Sequence, residues 1–380
     1  MSRRRSPAGE VWRALGRCFA RRLAPLVMGS IAVLPAFACA GGEPRRADRS
    51  DGPSAEVEVY APDSLLVSFP ADGARPFLER GFALEVHGRD VYVLDQSAGT
   101  VLRFDLEGAF LNSIGRPGQG PGELGSPGEL RLGSDGSVWI TALHPPKIAR
   151  FQPDGQLVAE YRPPFPAVNF APLGADRLLI PALFRDGLLS SLRAPADTTV
   201  LPVDTEIPRP LAADPLLRLS FKEFLLVATG PHRLALLRNH EGRDFDLWTV
   251  QLSEAGSRIS SITRVPLPEW LYDLLDTETA KLKKSVSKSF ASGGTFFPFR
   301  SLHAAGGGAL WTAPSPSDRI LALRIDPAGG SGLRVVVPSG RQEYRGMVDA
   351  VVAGNRLVAL EETRVRVYSL RRVADAKLRR

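Results

Sequence analysis

Two stretches of the chain, VYVLDQSAGTVLRFDLEGAFLNSI from Val91 and VWITALHPPKIARFQPDGQLVAEY from Val138, lie over one another without a gap at a spacing of 47 residues. Val91 falls on Val138, Tyr92 on Trp139, Val101 on Ile148, Arg103 on Arg150, Phe104 on Phe151 and Gly108 on Gly155. A third copy begins at Leu310, with Trp311, Ile320, Leu323 and Asp326 in the places of Trp139, Ile148, Phe151 and Asp154. Fainter copies begin at Arg177, Arg233 and Arg356. A period in the forties confines a chain to architectures built from one supersecondary unit that cannot bury its apolar faces alone.

The unit itself is all strand. A short apolar run ends in a Gly- or Asp-rich turn (HGRD, GSDGS, GADR, GPHR, AGGGA, AGN) and is followed by a second run. A polar loop then leads to a run that alternates in and out, such as VLRFD, and a turn such as LEG or PDG opens a fourth. Four antiparallel strands per period describe a β-propeller blade. Second-and-third-strand pairs number six. The last copy ends near Leu370 one strand short, while VEVYAPDSLLVSF, Val57 to Phe69, is one strand too many at the start. The economical closure has that strand complete the last blade, which removes the open edges of an unclosed ring. The expected fold is therefore all-β: a six-bladed β-propeller of four-stranded antiparallel blades. One helical insert interrupts it at 268–290, opening with Pro268 and Glu269. Leu271, Leu275, Leu282, Val286 and Phe290 lie on one face of this insert, with acids early and lysines late.

The linking segment GRPGQGPGELGSPGELRLGSDGSVWI, followed by IARFQPDGQLVAEY, resembles an NHL-type repeat. More closely, the chain resembles the bacterial six-bladed β-propeller family of exported or lipoprotein type, whose members carry G-R-x-G-x-G-P-G-E between blades. The likeness is strong over residues 81–161, fair around 298–326 and weak elsewhere, and it departs in the blade from 166 to 203, whose third strand is poor. It implies the fold and little about function, since propellers host many activities.

The formal net charge is +7, but residues 1–39 hold seven arginines and one acid, so the excess belongs to the leader and the remainder carries about +1. That excludes an electrostatic case for nucleic acid. Arginines run to Arg22, an uncharged stretch spans Leu23 to Ala38, and Cys39 follows in AFACAGGE. Sixteen uncharged residues broken by proline and glycine are short for a span, which needs about 20, and suit a signal h-region. Cleavage before a lipidated Cys39, plain secretion after Ala36-Phe37-Ala38, and an uncleaved anchor all remain open. The only other cysteine, Cys18, lies in the leader, so Cys39 has no disulfide partner after it. The expected organisation is a signal at 1–39, a Pro/Gly-rich tether at 40–55, the propeller at 56–372 and a basic tail at 373–380.

In a propeller the two–three loops and the links between blades share one face, here called the near face, and ligands usually bind there. By that rule the near-face mouth collects Asp95, Arg116, Glu123, His144, His240, Arg300 and His303 as candidate ligand-binding residues, with Arg131 close by. The likeness to a metal-binding NHL-class lyase and to gluconolactonase-like propellers prompts a metal reading, through His144, His240 and His303 or through Asp95, Glu129 and Asn169. No HxH or HExxH spacing supports it. A G-x-S-x-G elbow and a Walker lysine are likewise missing. The expectation is a binding scaffold without cofactor. It would act as a monomer in the envelope or outside the cell, membrane-bound through a lipid on Cys39. Its partner would be a protein, peptide or glycan, and nucleic acid is not expected. The alternative is a metal-assisted hydrolase or lyase at the channel mouth.

Overall fold

The computed structural model describes residues 57–71, 73, 75–163, 167, 169–174, 177–181, 189–193, 200–203, 224–239, 245–255, 258–285, 298–314, 319–327, 333–338 and 346–374. The signal, tether and tail proposed from the sequence, with Cys39, lie outside these residues, apart from the last strand's end at Val373 and Ala374.

The first strand, β1 (Val57–Phe69), does not start a blade. Blade 1 comprises β2 (Gly81–His87), β3 (Asp90–Asp95), β4 (Thr100–Asp105) and β5 (Phe110–Ile114). Blade 2 comprises β6 (Pro127–Leu132), β7 (Val138–Leu143), β8 (Pro146–Phe151) and β9 (Leu157–Tyr161). In blade 3, β10 (Ala171–Leu173), β11 (Arg177–Pro181), β12 (Leu189–Arg193) and β13 (Val200–Val203) pair in order, so the segment with the poor third strand still makes a complete blade. Blade 4 holds β14 (Phe224–Gly230), β15 (Arg233–Arg238), β16 (Asp246–Leu252) and β17 (Ile259–Val265). Blade 5 holds β18 (Phe299–Ala304), β19 (Leu310–Pro314), β20 (Ala322–Ile325) and β21 (Leu333–Val336). Blade 6 has β22 (Met347–Ala353), β23 (Arg356–Glu361) and β24 (Val365–Val373), and its fourth strand is β1, antiparallel to β24 from Val59↔Val373 to Phe69↔Val365. Residues 57–60 also pair in parallel with β21, so one strand ties blade 5 to blade 6.

Six apolar clusters among the described residues hold the ring, one at each seam between neighbouring blades. Along β3, Val91 and Val93 enter the seam with blade 6, while Tyr92 and Leu94 enter the seam with blade 2. Two buried faces at period two explain why the second strands read as unbroken apolar runs. In blades 1 and 2 the three–four turn tucks against the outer strand before it. A Cβ on Gly155 would meet Ser113 O of β5 at 3.1 Å, and one on Gly108 would meet Phe69 and Val67 of β1 at 2.9 and 3.1 Å. Thus β1 stands to blade 1 as β5 stands to blade 2, and each inner strand touches both of its neighbours, so the ring closes.

The aromatic–arginine pairs seen in the repeat are physical partners. Arg103 and Arg150 lie over the rings of Tyr92 and Trp139, at 5.7 and 5.3 Å from the centroids. Both arginines also bond an aspartate of their own blade, Asp90 and Asp135. Trp311 and Arg324 sit opposite one another at the same register in blade 5.

The insert forms one helix, α1 (Glu269–Ser285). Leu271, Tyr272, Leu274 and Leu275 join the cluster between blades 4 and 5, and the Tyr272 ring stacks on Phe245 at 4.4 Å. Val286 and Phe290 lie outside the described residues. Among the described residues, no helix is long and apolar enough to cross a membrane.

Candidate functional site

Strand order puts the β3–β4 loop, the β5–β6 link and the β7–β8 loop on the near face. The link GRPGQGPGEL doubles back on itself: Arg116 and Glu123 form a parallel bridge, Leu124 N–H donates to Arg116 O at 2.7 Å, and Arg116 Nε donates to Glu123 Oε1 at 3.1 Å. Glu123 also accepts from Gly120 N–H, and this bond, with the Arg116 hydrogen bond and charge, holds its carboxyl below the usual range against the opposing effect of burial. The loop is pinned from below by Lys147, a nearly fully buried ammonium that donates to Gly120 O and to Glu160 Oε1, each at 2.6 Å. Gly122 N–H donates to the same Glu160 oxygen at 2.9 Å.

One glycine is required by its backbone conformation and another by close approach to backbone. At Gly118, φ is +144°, and a Cβ would lie 2.1 Å from Glu123 Oε2; at Gly125 a Cβ would lie 1.9 Å from His144 O. The link thereby touches the β7–β8 loop, and through Pro117 it touches Gly99 of the β3–β4 loop. Arg116, Glu123 and exposed His144 therefore belong to one continuous loop surface, and exposed Phe77 stands on the neighbouring β1–β2 link.

Asp95 has a different duty. Its carboxylate, fully buried, accepts backbone N–H bonds from Glu79, Arg80, Ser97 and Ala98, so it joins the chain entering blade 1 to the β3–β4 loop. Asn239 plays the same part between blades 4 and 5, exchanging two amide bonds with Phe299. Asn169 accepts from Leu226 N–H, linking blade 3 to blade 4. His240 lies outside the described residues.

The remaining candidates open onto the channel. Glu85, Arg131 and His303 occupy the same register on three inner strands, opposite Tyr92, Trp139 and Trp311. Arg131 donates from Nη1 to Glu85 at 3.0 Å and pairs through Nη2 with Glu129 at 3.0 Å. His303 stands with Nδ1 3.3 Å from Glu85 Oε2, off the hydrogen-bond line, and with Nε2 3.2 Å from Asp349 Oδ1. Asp349 also accepts from Ser301 Oγ at 2.5 Å and from Leu84 N–H at 3.3 Å. Blades 5 and 1 are not neighbours, so the His303–Glu85 approach spans the channel.

Burial opposes charge on His303, but Asp349 and then Glu85 outweigh it and push its pKa up to about 10. Burial would raise the Asp349 carboxyl; His303, Ser301 and the backbone hold it below its ordinary value instead. Half-buried Arg300 is shifted down by burial, against the pull of Asp349. Three carboxylates thus face Arg131, charged His303 and Arg300.

Ser301 donates to Asp349 rather than to the imidazole. Among the described residues, no group of three His, Cys, Asp or Glu side chains is arranged to hold an ion. Glu85, Ser301 and Asp349 were not expected from the sequence. Their available signal was a single polar residue inside an otherwise apolar first strand, as in FALEVH and MVDAVVA.

No curated protein sequence matches the chain. Solved structures that resemble it include a Bacteroides fragilis protein described as exported, at 12% identity and TM-score 0.47, covering 84% of this chain and all of that one. A Xanthomonas campestris gluconolactonase resembles it at 12% identity and TM-score 0.43, covering 77% and 88%. Staphylococcus aureus virginiamycin B lyase does so at 14% identity and TM-score 0.41, covering 79% and 82%. Residues 81–181 match the model of a family described as 6-bladed beta-propeller. With six blades closed by β1, the chain is a six-bladed β-propeller similar to that family.

Proposed function

We propose that the protein is exported, tethered to the envelope through its leader, and acts as a binding scaffold whose near face takes a protein, peptide or glycan partner. The observation that carries this reading is the state of the channel. The ionisable side chains that meet there, Glu85, Glu129, Arg131, His303 and Asp349, are spent on one another. Exposed polar groups stand on the near-face loops. There a braced, glycine-shaped surface presents His144 together with Arg116 and Phe77, the last two of types enriched at protein interfaces. A braced loop loses little conformational entropy on binding. The leader, with its arginines, uncharged stretch and Cys39, supports the envelope location.

The test is affinity capture from envelope extract, and from a glycan array, with wild type and an Arg116→Glu/His144→Asp variant. Saturable capture lost in the variant supports the reading. Capture unaffected by these substitutions but lost with Asp349→Asn would move the site to the channel.

A further inference from the structure

The closing strand reaches its place without a hairpin. The outer strands β5, β9, β13, β17 and β21 each follow the third strand of their own blade. By contrast, β1 meets β24 across almost the whole chain: Ser64 and Ser369, joined through their hydroxyls at 2.8 Å, stand 305 positions apart. Its charges set it apart as well. The five hairpinned outer strands hold at most one charged residue each, Glu160 in β9, Arg264 in β17 and Arg334 in β21, with none in β5 or β13. β1 holds two acids, Glu58 and Asp63, and no base. The strands that flank it, β21 and β24, hold Arg334, Arg366, Arg371 and Arg372, and no acid.

The acids meet these arginines in register. Glu58 lies opposite Arg334 in the parallel pairing with β21, its Oε2 2.7 Å from Arg334 Nε, while Oε1 lies 3.6 Å from Arg372 Nη2 of β24. One carboxylate thus joins the edges of blades 5 and 6. Asp63 pairs with Arg371 at 2.9 Å, and Arg366 is held by Glu361 of its own blade. Val59 and Ala61, on the opposite side of β1 from Glu58, enter the cluster between blades 4 and 5. A slip of one residue would turn Glu58 into that cluster.

Exposed ion pairs add little to stability, whereas complementary charge acts chiefly on encounter rate and on the choice of partner. Ring closure is the step at which choice matters. β1 must close a loop about 300 residues long, in competition with the one-sided outer edges of β5, β9, β13 and β17. We propose that β1 is a charge-coded latch. Its acids and the arginines edging the slot between β21 and β24 direct it there, and away from every other edge, of this chain or of a second copy.

The test uses the full-length chain. Glu58→Gln/Asp63→Asn removes the code, Glu58→Arg/Asp63→Arg reverses it, and adding Arg334→Glu/Arg371→Glu to the reversed chain restores it with the signs exchanged. As salt rises from about 0.05 to 0.5 M, the wild-type refolding rate should fall roughly fivefold relative to that of the neutral variant. Amide hydrogens of β1 and β24 should exchange roughly tenfold faster in the reversed chain and return to within about twofold of wild type in the restored one. Dimers of the reversed chain that disappear in the restored chain would also support the latch. The same salt response in wild type and neutral variant overturns it, as does a restored chain that exchanges as fast as the reversed one. If the reversed chain does not fold, the restored chain decides: folded and monomeric, it supports the proposal, and unfolded, it overturns it.

Discussion

His303 and Asp349, on adjacent blades, keep each other charged: the imidazole Nε2 lies 3.2 Å from the carboxylate Oδ1 in a site from which water is nearly excluded. The folded pKa of the histidine, about 10, lies above its ordinary 6.5. The folded state therefore binds more protons than the unfolded one between those values, and stability falls as pH rises through that window. Below pH 6.5 the contribution is complete. Thermal or urea unfolding from pH 6.5 to 10 should show a loss of at most about 1.4 kcal/mol per pH unit. His303→Gln should flatten that slope and cost about 3–5 kcal/mol at neutral pH, because it leaves buried carboxylates without their cation. At the acid end the sign reverses. The lowered pKa of Asp349 means that its contribution is lost as pH falls below the ordinary carboxylate range.

Lys147 and Glu160 should behave as one unit. Lys147→Met leaves a carboxylate facing only Gly122 N–H and should cost about 3–5 kcal/mol. The double variant Lys147→Met/Glu160→Gln should recover much of that loss. Additive losses in chemical unfolding would show that the two act independently.

How much of this was legible in the sequence depends on the range of the interaction. The spacing of Val91 and Val138 exposed the blade, and the deficit at Leu370 matched the surplus strand at Val57, because strand patterning is local and repeats itself. Tyr92–Arg103 and Trp139–Arg150 were visible as aligned columns and proved to be contacts. The channel cluster was visible only in pieces. Glu85, Arg131 and His303 share a repeat position, but the approach of His303 to Glu85 depends on ring closure, which brings together residues about 220 apart in the chain. Asp95 looked like a mouth carboxylate, and only its four backbone donors reveal that it staples a blade entry.

Two glycines separate backbone strain from crowding. Gly88, at φ +61° with open space for 4 Å around the position a Cβ would take, should lose about 1–2 kcal/mol on change to Ala from the left-handed conformation alone. At Gly125 the His144 carbonyl occupies the Cβ position, so Gly125→Ala must shift the β7–β8 loop and should cost more, with about 1–3 kcal/mol from overpacking. Parallel denaturation curves would rank the two.

The closing strand should govern the whole ring. Phe69, buried on β1, packs its ring at a tilt against Phe104, with centroids 4.9 Å apart, and joins the blade 6 and blade 1 cluster. Phe69→Ala should cost about 3–5 kcal/mol and lower a single cooperative transition. A separate early transition for blades 5 and 6 would indicate that closure does not couple them.

If the channel is spent on its own charges and binding belongs to the near-face loops, the channel should hold no metal. Metal analysis of untagged, dialysed full-length protein and of its His303→Gln variant decides the matter. Less than stoichiometric metal is expected in wild type, with no change in the variant. One tightly held ion per chain, lost on His303→Gln, would overturn this reading and place a metal centre where the ion pairs now stand.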